Sequence, residues 1–234
     1  MLKKIFNYYG YTFSKLKKTN LISDIIKLKL AKNSCDILID VGANKGDFSY
    51  EFIGEFKKIF LIEPNPNLQK ELEQRFKNKK NIKIFKYGIH NKNSTKKLYI
   101  SGDTGSTLSS IKKQNKILKE NLKKTDIIST QNLKFLRLDE ILKKNILSYN
   151  SIFLKTDTQG NELEVLKSLG TYLKKVKYIK CEMSIMALYQ NQNSHWKILK
   201  FFRENKYEPI FFENGLRDKN GNMIEYDIFL ERKN

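Results

Sequence analysis

A short turn with the sequence D-V-G-A-N-K-G, residues 40–46, joins a hydrophobic run to a helical pattern that begins at Phe48. Glycine lets the backbone turn sharply and approach a ligand closely. The next hydrophobic run, residues 59–62, ends in Glu63, where an acid can accept hydrogen bonds from both hydroxyls of a ribose. This succession predicts a site for an adenosine-containing cofactor, although a glycine turn by itself also occurs in α/β proteins that bind none.

The glycine spacing indicates which cofactor to expect. A pyrophosphate site has the pattern G-x-G-x-x-G, and here Asn44 occupies the position of its middle glycine. Gly42 and Gly46 after the acid Asp40 suit a cofactor without phosphates, whose amino-acid tail needs a hydrogen-bond acceptor as well as amide donors. We therefore expect S-adenosylmethionine, with its amino group at Asp40 and its ribose at Glu63.

A third hydrophobic run, residues 82–87, is followed by Gly88, Ile89 and His90. A loop in this position commonly lies against the adenine ring, so Ile89 and His90 are further candidates for cofactor contacts. A role of His90 as catalytic base is a weaker alternative, and His195 is expected to be structural. No spacing of cysteines and histidines indicates zinc, and we predict no metal site; a magnesium ion between two acids is the alternative.

Acids stand at the ends of four predicted strands, at Asp40, Glu63, Asp157 and Glu182. In an open, mostly parallel sheet, ligands bind beyond the carboxyl ends of the strands, and helix capping alone does not call for four acids there. The first two acids are assigned to the cofactor, which donates a methyl group. Asp157 and Glu182 are therefore expected to face the methyl acceptor.

Methyl transfer is an in-line displacement at the sulfonium methyl carbon, so the enzyme must align an acceptor oxygen or nitrogen with it. A hydroxyl acceptor also benefits from a general base within hydrogen-bond reach. Asp157 is predicted to be this base or to anchor the acceptor, and binding of the cofactor's methionine end is the alternative. Lys155 would orient that carboxylate or, equally, be a solvated lysine, and Glu182 is the second candidate for a direct catalytic role.

The chain of 234 residues is long enough for one α/β domain and short for two. Alternating strand and helix patterns predict a doubly wound, Rossmann-like sheet of the class I methyltransferase type, mostly parallel, with a C-terminal antiparallel hairpin of residues 208–212 and 227–230. Residues 1–34 are expected to form a basic helical extension and residues 35–234 the S-adenosylmethionine-dependent methyltransferase domain. In this extension, five apolar residues are expected to pack a helix against the edge of the sheet: Ile22, Ile25, Ile26, Leu28 and Leu30. The rest of the helix is expected to be solvated, and a peripheral membrane contact is the alternative.

The composition, with 40% hydrophobic and 12% aromatic residues, is that of a globular protein. We expect a cytoplasmic location, because the N-terminus lacks the hydrophobic region and cleavage site of a signal peptide and no apolar run is long enough to span a membrane. Cys35 and Cys181 lie beside predicted core strands and are expected to be buried and reduced. The sequence does not indicate an oligomeric state.

The formal net charge of +20 is of the kind found in nucleic-acid-binding proteins. However, 40 of the basic residues are lysines and 5 are arginines, and the lysines are spread along the chain. Arginine is the usual bidentate reader of phosphates and bases, and A/T-rich codons explain much of the lysine content. The sequence therefore argues against a nucleic-acid partner and leaves room for an anionic acceptor or a membrane surface.

Four segments carry a resemblance to a known family: D-V-G-A-N-K-G-D-F-S, I-E-P-N-P, L-K-T-D-T-Q-G-N-E-L-E-V-L and I-K-C-E. Together they resemble the FkbM family of class I S-adenosylmethionine-dependent methyltransferases, over about residues 35–205. Gln159 stands where that family usually has glutamate, which puts in doubt any role that needs this carboxylate. The resemblance implies two sets of residues: Gly42, Asn44, Gly46 and Glu63 at the cofactor, and Lys155, Asp157 and Glu162 elsewhere in the site.

Members of this family typically methylate hydroxyls of sugars or of secondary metabolites. The resemblance therefore implies an O-methyltransferase that acts on a sugar or on a glycan precursor of the surface-polysaccharide type. A methyltransferase of RNA or another nucleic acid is the alternative; only the charge favours it, and no amine-activating N/D-P-P-Y/F motif follows the fourth strand. A third alternative is a cofactor-binding module without catalysis, against which the intact strand-tip acids argue.

Overall fold

The computed structural model describes residues 21–102, 107–122, 125–145 and 149–233 of the chain. Its strands are β1 (Ile37–Val41), β2 (Lys58–Ile62), β3 (Ile82–Phe85), β4 (Gly88–Ile89), β5 (Ser94–Ser101), β6 (Ile127–Leu136), β7 (Ile152–Thr156), β8 (Val176–Ser184), β9 (Tyr207–Asn214) and β10 (Glu225–Arg232). Its α-helices are α1 (Leu21–Lys32), α2 (Asp47–Glu51), α3 (Pro66–Arg75), α4 (Lys116–Asn121), α5 (Leu138–Asn145), α6 (Glu162–Lys167) and α7 (His195–Glu204), and a 3₁₀-helix spans Gly170–Lys175.

Seven strands form the main sheet in the order β3-β2-β1-β7-β8-β10-β9. The first five run parallel, and β10 pairs antiparallel with both β8 and β9. The strand order reverses between β1 and β7, the place where ligands bind in open sheets of this kind. The predicted fold class, a mostly parallel Rossmann-like methyltransferase sheet with C-terminal antiparallel strands, is confirmed.

Helices cover both faces of the sheet because its central strands are apolar on both faces. All residues of β1 and β7 are buried. In β1, Leu38 packs into one hydrophobic cluster with Phe52 and Leu72, whereas Ile39 packs into the other with Leu142 and others on that face. Full burial of each such side chain contributes roughly 1.5–3 kcal/mol, so the two clusters hold the strand ends in place.

Helix α1 lies in the predicted N-terminal extension and packs on the same cluster as Leu38. Ile22, Ile26 and Leu30 are buried, as expected, but Leu28 is 64% exposed. The expectation for Leu28 was wrong because a residue two positions after Ile26 points to the opposite side of a helix. Residues 1–20 of the extension lie outside the described residues, and the boundary at residue 34 stays a prediction. No helix in the described ranges is long and apolar enough to cross a membrane.

A second, three-stranded sheet has the order β4-β6-β5 and was not predicted. Its longest strand, β6, is mostly exposed, so its sequence lacks the alternation of apolar and polar residues that marks a half-buried strand. The lysine-rich residues 111–124 have a helical pattern that predicts a helix, but among the described residues of this range the helix spans only Lys116–Asn121. Leu98 of β5 and Phe135 of β6 line a cavity of about 470 Å³, so this small sheet forms one of the walls of that cavity.

The two cysteines, Cys35 and Cys181, are buried and not bonded to each other. Burial raises the pKa of Cys35 to about 12 and that of Cys181 well above its ordinary value, so both thiols stay protonated. The prediction that they are buried and reduced is confirmed, and neither thiol is a nucleophile in this environment.

Candidate active site

A cavity of about 470 Å³ lies at the carboxyl ends of the parallel strands, next to the reversal of strand order between β1 and β7. This volume is in the usual range for a site that encloses a small molecule. The polar groups in its wall come from the ends of several strands; they include Asn44, Glu63, Lys155, Asp157, Gln159, Glu182 and Glu225.

The glycine turn forms one side of the cavity and is fixed to β2. The amides of Gly42 and Ala43 both donate to the carbonyl of Ile62, at 3.0 and 3.1 Å. Gly42 has φ +74°, and a Cβ there would lie 1.9 Å from the carbonyl oxygen of Asp157. Only glycine fits this position, because the turn passes directly against the chain that follows β7.

Gly46, the second glycine of the motif, has a different environment. Its φ is +78°, and a Cβ there would lie 2.5 Å from Cε2 of Phe76 and 2.9 Å from Cδ2 of Leu72. It is not among the residues that line the cavity. The structure therefore places Gly46 where α2 starts against α3, and its predicted contact with the cofactor stays a prediction.

Glu63 directly follows β2 and is buried in the cavity wall, 6% exposed. Its carboxylate accepts hydrogen bonds from the amide of Asn44 at 2.9 Å and from the amide of Asn65 at 2.8 Å. Burial raises the pKa of Glu63 to about 7, although both amide hydrogen bonds act in the opposite direction. Each carboxylate oxygen can accept a further hydrogen bond, so Glu63 is able to bind a diol.

Asp40 is fully buried and is not among the cavity-lining residues. Ser49 donates to its Oδ2 at 2.7 Å, and Nζ of Lys155 lies 3.2 Å from its Oδ1. The contact of Asp40 with the cofactor's amino group stays a prediction. In this structure Asp40 touches Lys155, and it is Lys155 that reaches the cavity.

Lys155, near the end of β7, connects three groups. Its Nζ donates to the carbonyl of Gly42 at 2.8 Å and lies 3.2 Å from Asp40 and 3.4 Å from Oδ2 of Asp157. Burial acts to lower the pKa of Lys155, but the two carboxylates outweigh it and keep that pKa above its ordinary value. The lysine is therefore charged, and it holds Asp157 against the glycine turn.

Asp157 follows β7, and 37% of its side chain is exposed in the cavity. Burial acts to raise its pKa, but the charge of Lys155 and a hydrogen bond from Gln159 outweigh this and leave the pKa below its ordinary value. Asp157 is thus an ionised hydrogen-bond acceptor at neutral pH. As a base it is weak, so it takes up a proton only from a group whose acidity rises during the reaction.

Glu182 in β8 and Glu225 at the start of β10 complete the acidic side of the cavity. Burial and the neighbouring carboxylates of Asp157 and Glu225 raise the pKa of Glu182 well above its ordinary value, and burial raises that of Glu225 to about 8. Three acids so close together do not all ionise at neutral pH. Asp157 keeps its charge because it alone of these three has the lysine beside it.

Sequence reasoning missed Glu225. It starts an antiparallel strand, so it lies at the same edge as the ends of the parallel strands, opposite Ser184 in the register of β8 and β10. The signal was available, since the predicted hairpin places the beginning of its second strand at that edge. The prediction considered only strand ends.

Glu162 shapes the loop beside the cavity and is not among the residues that line it. Its Oε1 accepts hydrogen bonds from the amide and hydroxyl of Thr158 at 3.0 and 3.1 Å and from the amide of Gly160 at 3.1 Å. Glu162 therefore fixes the backbone that carries Asp157 and Gln159. The role that the resemblance implies for it at the site is indirect in this geometry.

Of the two residues expected at the adenine ring, Ile89 lines the cavity and is buried, whereas His90 is not among the lining residues. Burial lowers the pKa of His90, so its ring is neutral at pH 7. Its contact with the cofactor stays a prediction. His195 lies beside Trp196 at the start of α7, with ring centroids 4.3 Å apart and the ring planes tilted by 44°. Within the described ranges, no group of three or more His, Cys, Asp or Glu side chains could hold a metal ion.

Comparison with known proteins now assigns the chain. Residues 40–209 match the methyltransferase FkbM domain. The chain belongs to the FkbM methyltransferase family. It is an S-adenosylmethionine-dependent methyltransferase, and the resemblance seen in its motifs is confirmed. No curated protein matches the chain in sequence.

Solved structures share the fold at low sequence identity. An rRNA methylase from Streptococcus thermophilus has 10% identity and a TM-score of 0.50, and the match covers 95% of this chain and 100% of that one. SMU.1697c from Streptococcus mutans, in complex with SAH, has 10% identity and a TM-score of 0.50, covering 94% and 100%. Aeropyrum pernix fibrillarin with natively bound S-adenosyl-L-methionine has 10% identity and a TM-score of 0.48, covering 90% and 73%. At such identities the two matches with a TM-score of 0.50 show the fold alone.

The residues of the cavity fit S-adenosylmethionine. Glu63 stands at the end of β2 with acceptor capacity for a ribose diol, and the apolar side chain of Ile89 lies in the same cavity wall. Gly42 keeps the turn close to the chain after β7. When bound, the cofactor supplies an electrophilic methyl group, and the protein must hold it in line with an acceptor atom.

Proposed function

We propose that this FkbM methyltransferase methylates a hydroxyl of a sugar or of a glycan precursor. The observation that supports the proposal is the row of carboxylates in the cavity wall: Asp157, Glu182 and Glu225, from β10 and from the ends of neighbouring strands. Carboxylates accept hydrogen bonds from hydroxyls, and a sugar presents several hydroxyls at once.

We call Gly42, Asn44, Glu63 and Ile89 the cofactor half of the cavity, and Asp157, Gln159, Glu182 and Glu225 the acceptor half. In the proposed reaction, Asp157 accepts a hydrogen bond from the acceptor hydroxyl and directs the oxygen lone pair towards the methyl group. When bound, the cofactor would supply the methyl group to this oxygen, and Asp157 would take up the proton that the hydroxyl loses. The ionised state of Asp157, kept by Lys155 at 3.4 Å, supports this role.

A nucleic-acid acceptor is the alternative, and the charge of +20 is its main support. Two lysines of the cavity wall are committed to carboxylates: Lys155 contacts Asp157, and Nζ of Lys180 lies 2.5 Å from Asp227. They do not offer free positive charge to a phosphate. A glycan precursor carried at a membrane would still be compatible with the basic surface.

The test is a screen for the methylated product. The purified protein is incubated with methyl-labelled S-adenosylmethionine and, in parallel, with a panel of nucleotide sugars and with total RNA. We expect label in at least one nucleotide sugar, lost in Asp157→Asn, and none in RNA above a no-enzyme control. Incorporation into RNA and into none of the sugars would reject the proposal in favour of the alternative.

A further inference from the structure

Gln159 lies between the two acids that sequence analysis assigned to the acceptor. It is buried in the cavity wall, and its backbone has φ +54°. Its Nε2 donates to Oδ1 of Asp157 at 3.0 Å and to Oε2 of Glu182 at 2.7 Å. One primary amide has two N–H donors, so this side chain uses both of them on two carboxylates.

The orientation of this amide follows from its neighbours. The reversed orientation would place the amide oxygen against two carboxylates, which is repulsive. Its Oε1 accepts a hydrogen bond from the hydroxyl of Tyr189, whose ring is fully buried. The backbone carbonyl of Gln159 accepts another, from Oγ of Ser110 at 2.6 Å. Two other segments of the chain therefore fix Gln159 before any acceptor binds.

The hydrogen bonds of Gln159 limit where a proton can reside on the acid pair. Oδ1 of Asp157 and Oε2 of Glu182 face its two N–H groups, and Oδ2 of Asp157 faces Nζ of Lys155 at 3.4 Å. Three of the four carboxylate oxygens thus face donors. The fourth is Oε1 of Glu182, and Glu225 lies in the same cavity wall as Glu182. A proton held by this group of acids is therefore placed away from Asp157.

We propose that Gln159 is a positioning residue that prevents Asp157 and Glu182 from sharing a proton, so that Asp157 remains an ionised acceptor for the substrate hydroxyl. Two adjacent carboxylates without a donor between them share a proton, and this would block Asp157. A glutamate at position 159 would add a further carboxylate to this group and remove both donors. In this chain the uncharged amide supplies one donor to each acid without adding negative charge.

The inference rests on the role proposed for Asp157, but its test needs no acceptor. The full chain is saturated with S-adenosylhomocysteine, and the ¹³C carboxyl signals of labelled aspartate are followed against pH by NMR. The signal of Asp157 is assigned by its loss in Asp157→Asn. We expect the Asp157 midpoint to lie below the ordinary value of about 3.9 in the wild type and to be higher in Gln159→Met than in the wild type, with Lys155 still beside Asp157 in both.

Gln159→Met keeps the volume of the side chain and removes both donors. The matched control is Gln190→Met at an exposed position, which should leave the Asp157 midpoint where it is in the wild type. Affinity for S-adenosylhomocysteine should be unchanged in both variants, which separates the effect from a general disturbance of the fold. A folded Gln159→Met with a wild-type Asp157 midpoint would overturn the inference.

If Gln159→Met does not fold, Tyr189→Phe decides instead. It removes the hydroxyl that holds the amide oxygen and leaves both N–H donors present. A smaller upward shift of the Asp157 midpoint supports the inference, because the amide is then free to rotate. An unchanged midpoint overturns it. Neither result depends on which acceptor the enzyme uses, so failure here is distinct from failure of the sugar screen.

Discussion

The cofactor half and the acceptor half of the cavity are both built at strand ends, but they bind by different means. The cofactor half relies on one acid, Glu63, that accepts from two backbone amides, and on a glycine turn that allows close approach. The acceptor half relies on several acids whose charges depend on one another. Substitutions should therefore act locally in the first half and change protonation across the second.

The largest effect is expected from Asp157→Asn in the acceptor half. The variant keeps the shape of the side chain but loses the charge, so turnover should fall by roughly 10²–10⁴-fold, as for loss of a general base. Single-turnover kinetics with the sugar found in the screen measures this. Affinity for S-adenosylhomocysteine, followed by calorimetry, should stay the same.

Asp24→Asn, at an exposed position of α1, is the matched control and should leave both quantities unchanged. A weakened affinity for S-adenosylhomocysteine with nearly intact turnover in Asp157→Asn would instead place Asp157 at the methionine end of the cofactor. Asp157 would then belong to the cofactor half, and the division between the halves would have to be redrawn.

In the cofactor half, Glu63→Gln should weaken binding of S-adenosylhomocysteine by roughly 1.5–3 kcal/mol, the usual value for a hydrogen bond to a charged group. This corresponds to a roughly ten- to hundredfold higher dissociation constant. Isothermal titration calorimetry at pH 8, where the wild-type carboxylate is ionised, is the suitable measurement. An equal dissociation constant in the variant and the wild type would move the ribose contact to another residue.

The raised pKa of Glu63, about 7, predicts a pH dependence of cofactor binding. Because the ionised form is the better acceptor for a diol, affinity for S-adenosylhomocysteine should rise with pH up to about 7 and then level off. The folded state binds the proton of Glu63 more tightly than the unfolded state does. The free energy of unfolding that Glu63 contributes therefore falls as the pH rises from 4.5, its ordinary pKa, to about 7. Glu63→Gln should abolish this step in affinity; a step that persists belongs to another group.

The smallest effect on binding is expected at Gly46. Gly46→Ala should destabilise the fold by about 1–2 kcal/mol, because the backbone of residue 46 is in the left-handed region, where a Cβ is unfavourable. Crowding of the new methyl group against Phe76 adds a further cost. The variant's affinity for S-adenosylhomocysteine should stay within about twofold of the wild-type value, because Gly46 does not line the cavity. Loss of a hydrogen bond to the cofactor would lower the affinity by more than this. Denaturant unfolding and calorimetry on the same samples measure both. A Cβ at Gly54 would meet nothing within 4 Å, so Gly54→Ala is the control.

Gly42→Ala completes this series, because a Cβ at Gly42 would overlap a backbone carbonyl instead of a movable side chain. It should be the least stable of the three glycine variants. If Gly46→Ala binds S-adenosylhomocysteine much more weakly while remaining folded, the contact implied by the family resemblance is real, and the cofactor half extends further along the turn than the cavity wall indicates.

The cofactor half was largely predictable because its residues are close in sequence. Gly42, Asn44, Glu63 and Ile89 stand in or just after consecutive strand patterns, and all line the cavity. Gly46 shows the limit of such reasoning: the motif contains it, yet in the structure it packs against Phe76. A spacing pattern does not distinguish a glycine that faces a ligand from one that faces a helix.

The second sheet was not predictable in the same way. Strand β6 is mostly exposed, and its pairing with β5 over Ser94 to Ser101 supplies the order that its own pattern of side chains does not indicate. The expectation that Leu28 packs against the sheet was wrong for a related reason. The apolar residues of α1 were grouped together without regard to the direction in which each projects from the helix axis. Both errors concern which neighbours an element meets.

The sequence by itself determined the alternation of strands and helices, the parallel sheet, the strand-end acids and the methyltransferase motifs, since each is encoded by neighbouring residues. The tertiary structure decided which acids face the cavity and which are ionised. Asp40 proved to be buried behind Lys155, and Glu225 joined the site from an antiparallel strand. Gln159 acquired its two carboxylate partners from different strands. Charge and burial act through distances in space, and these are fixed only when distant segments pack together.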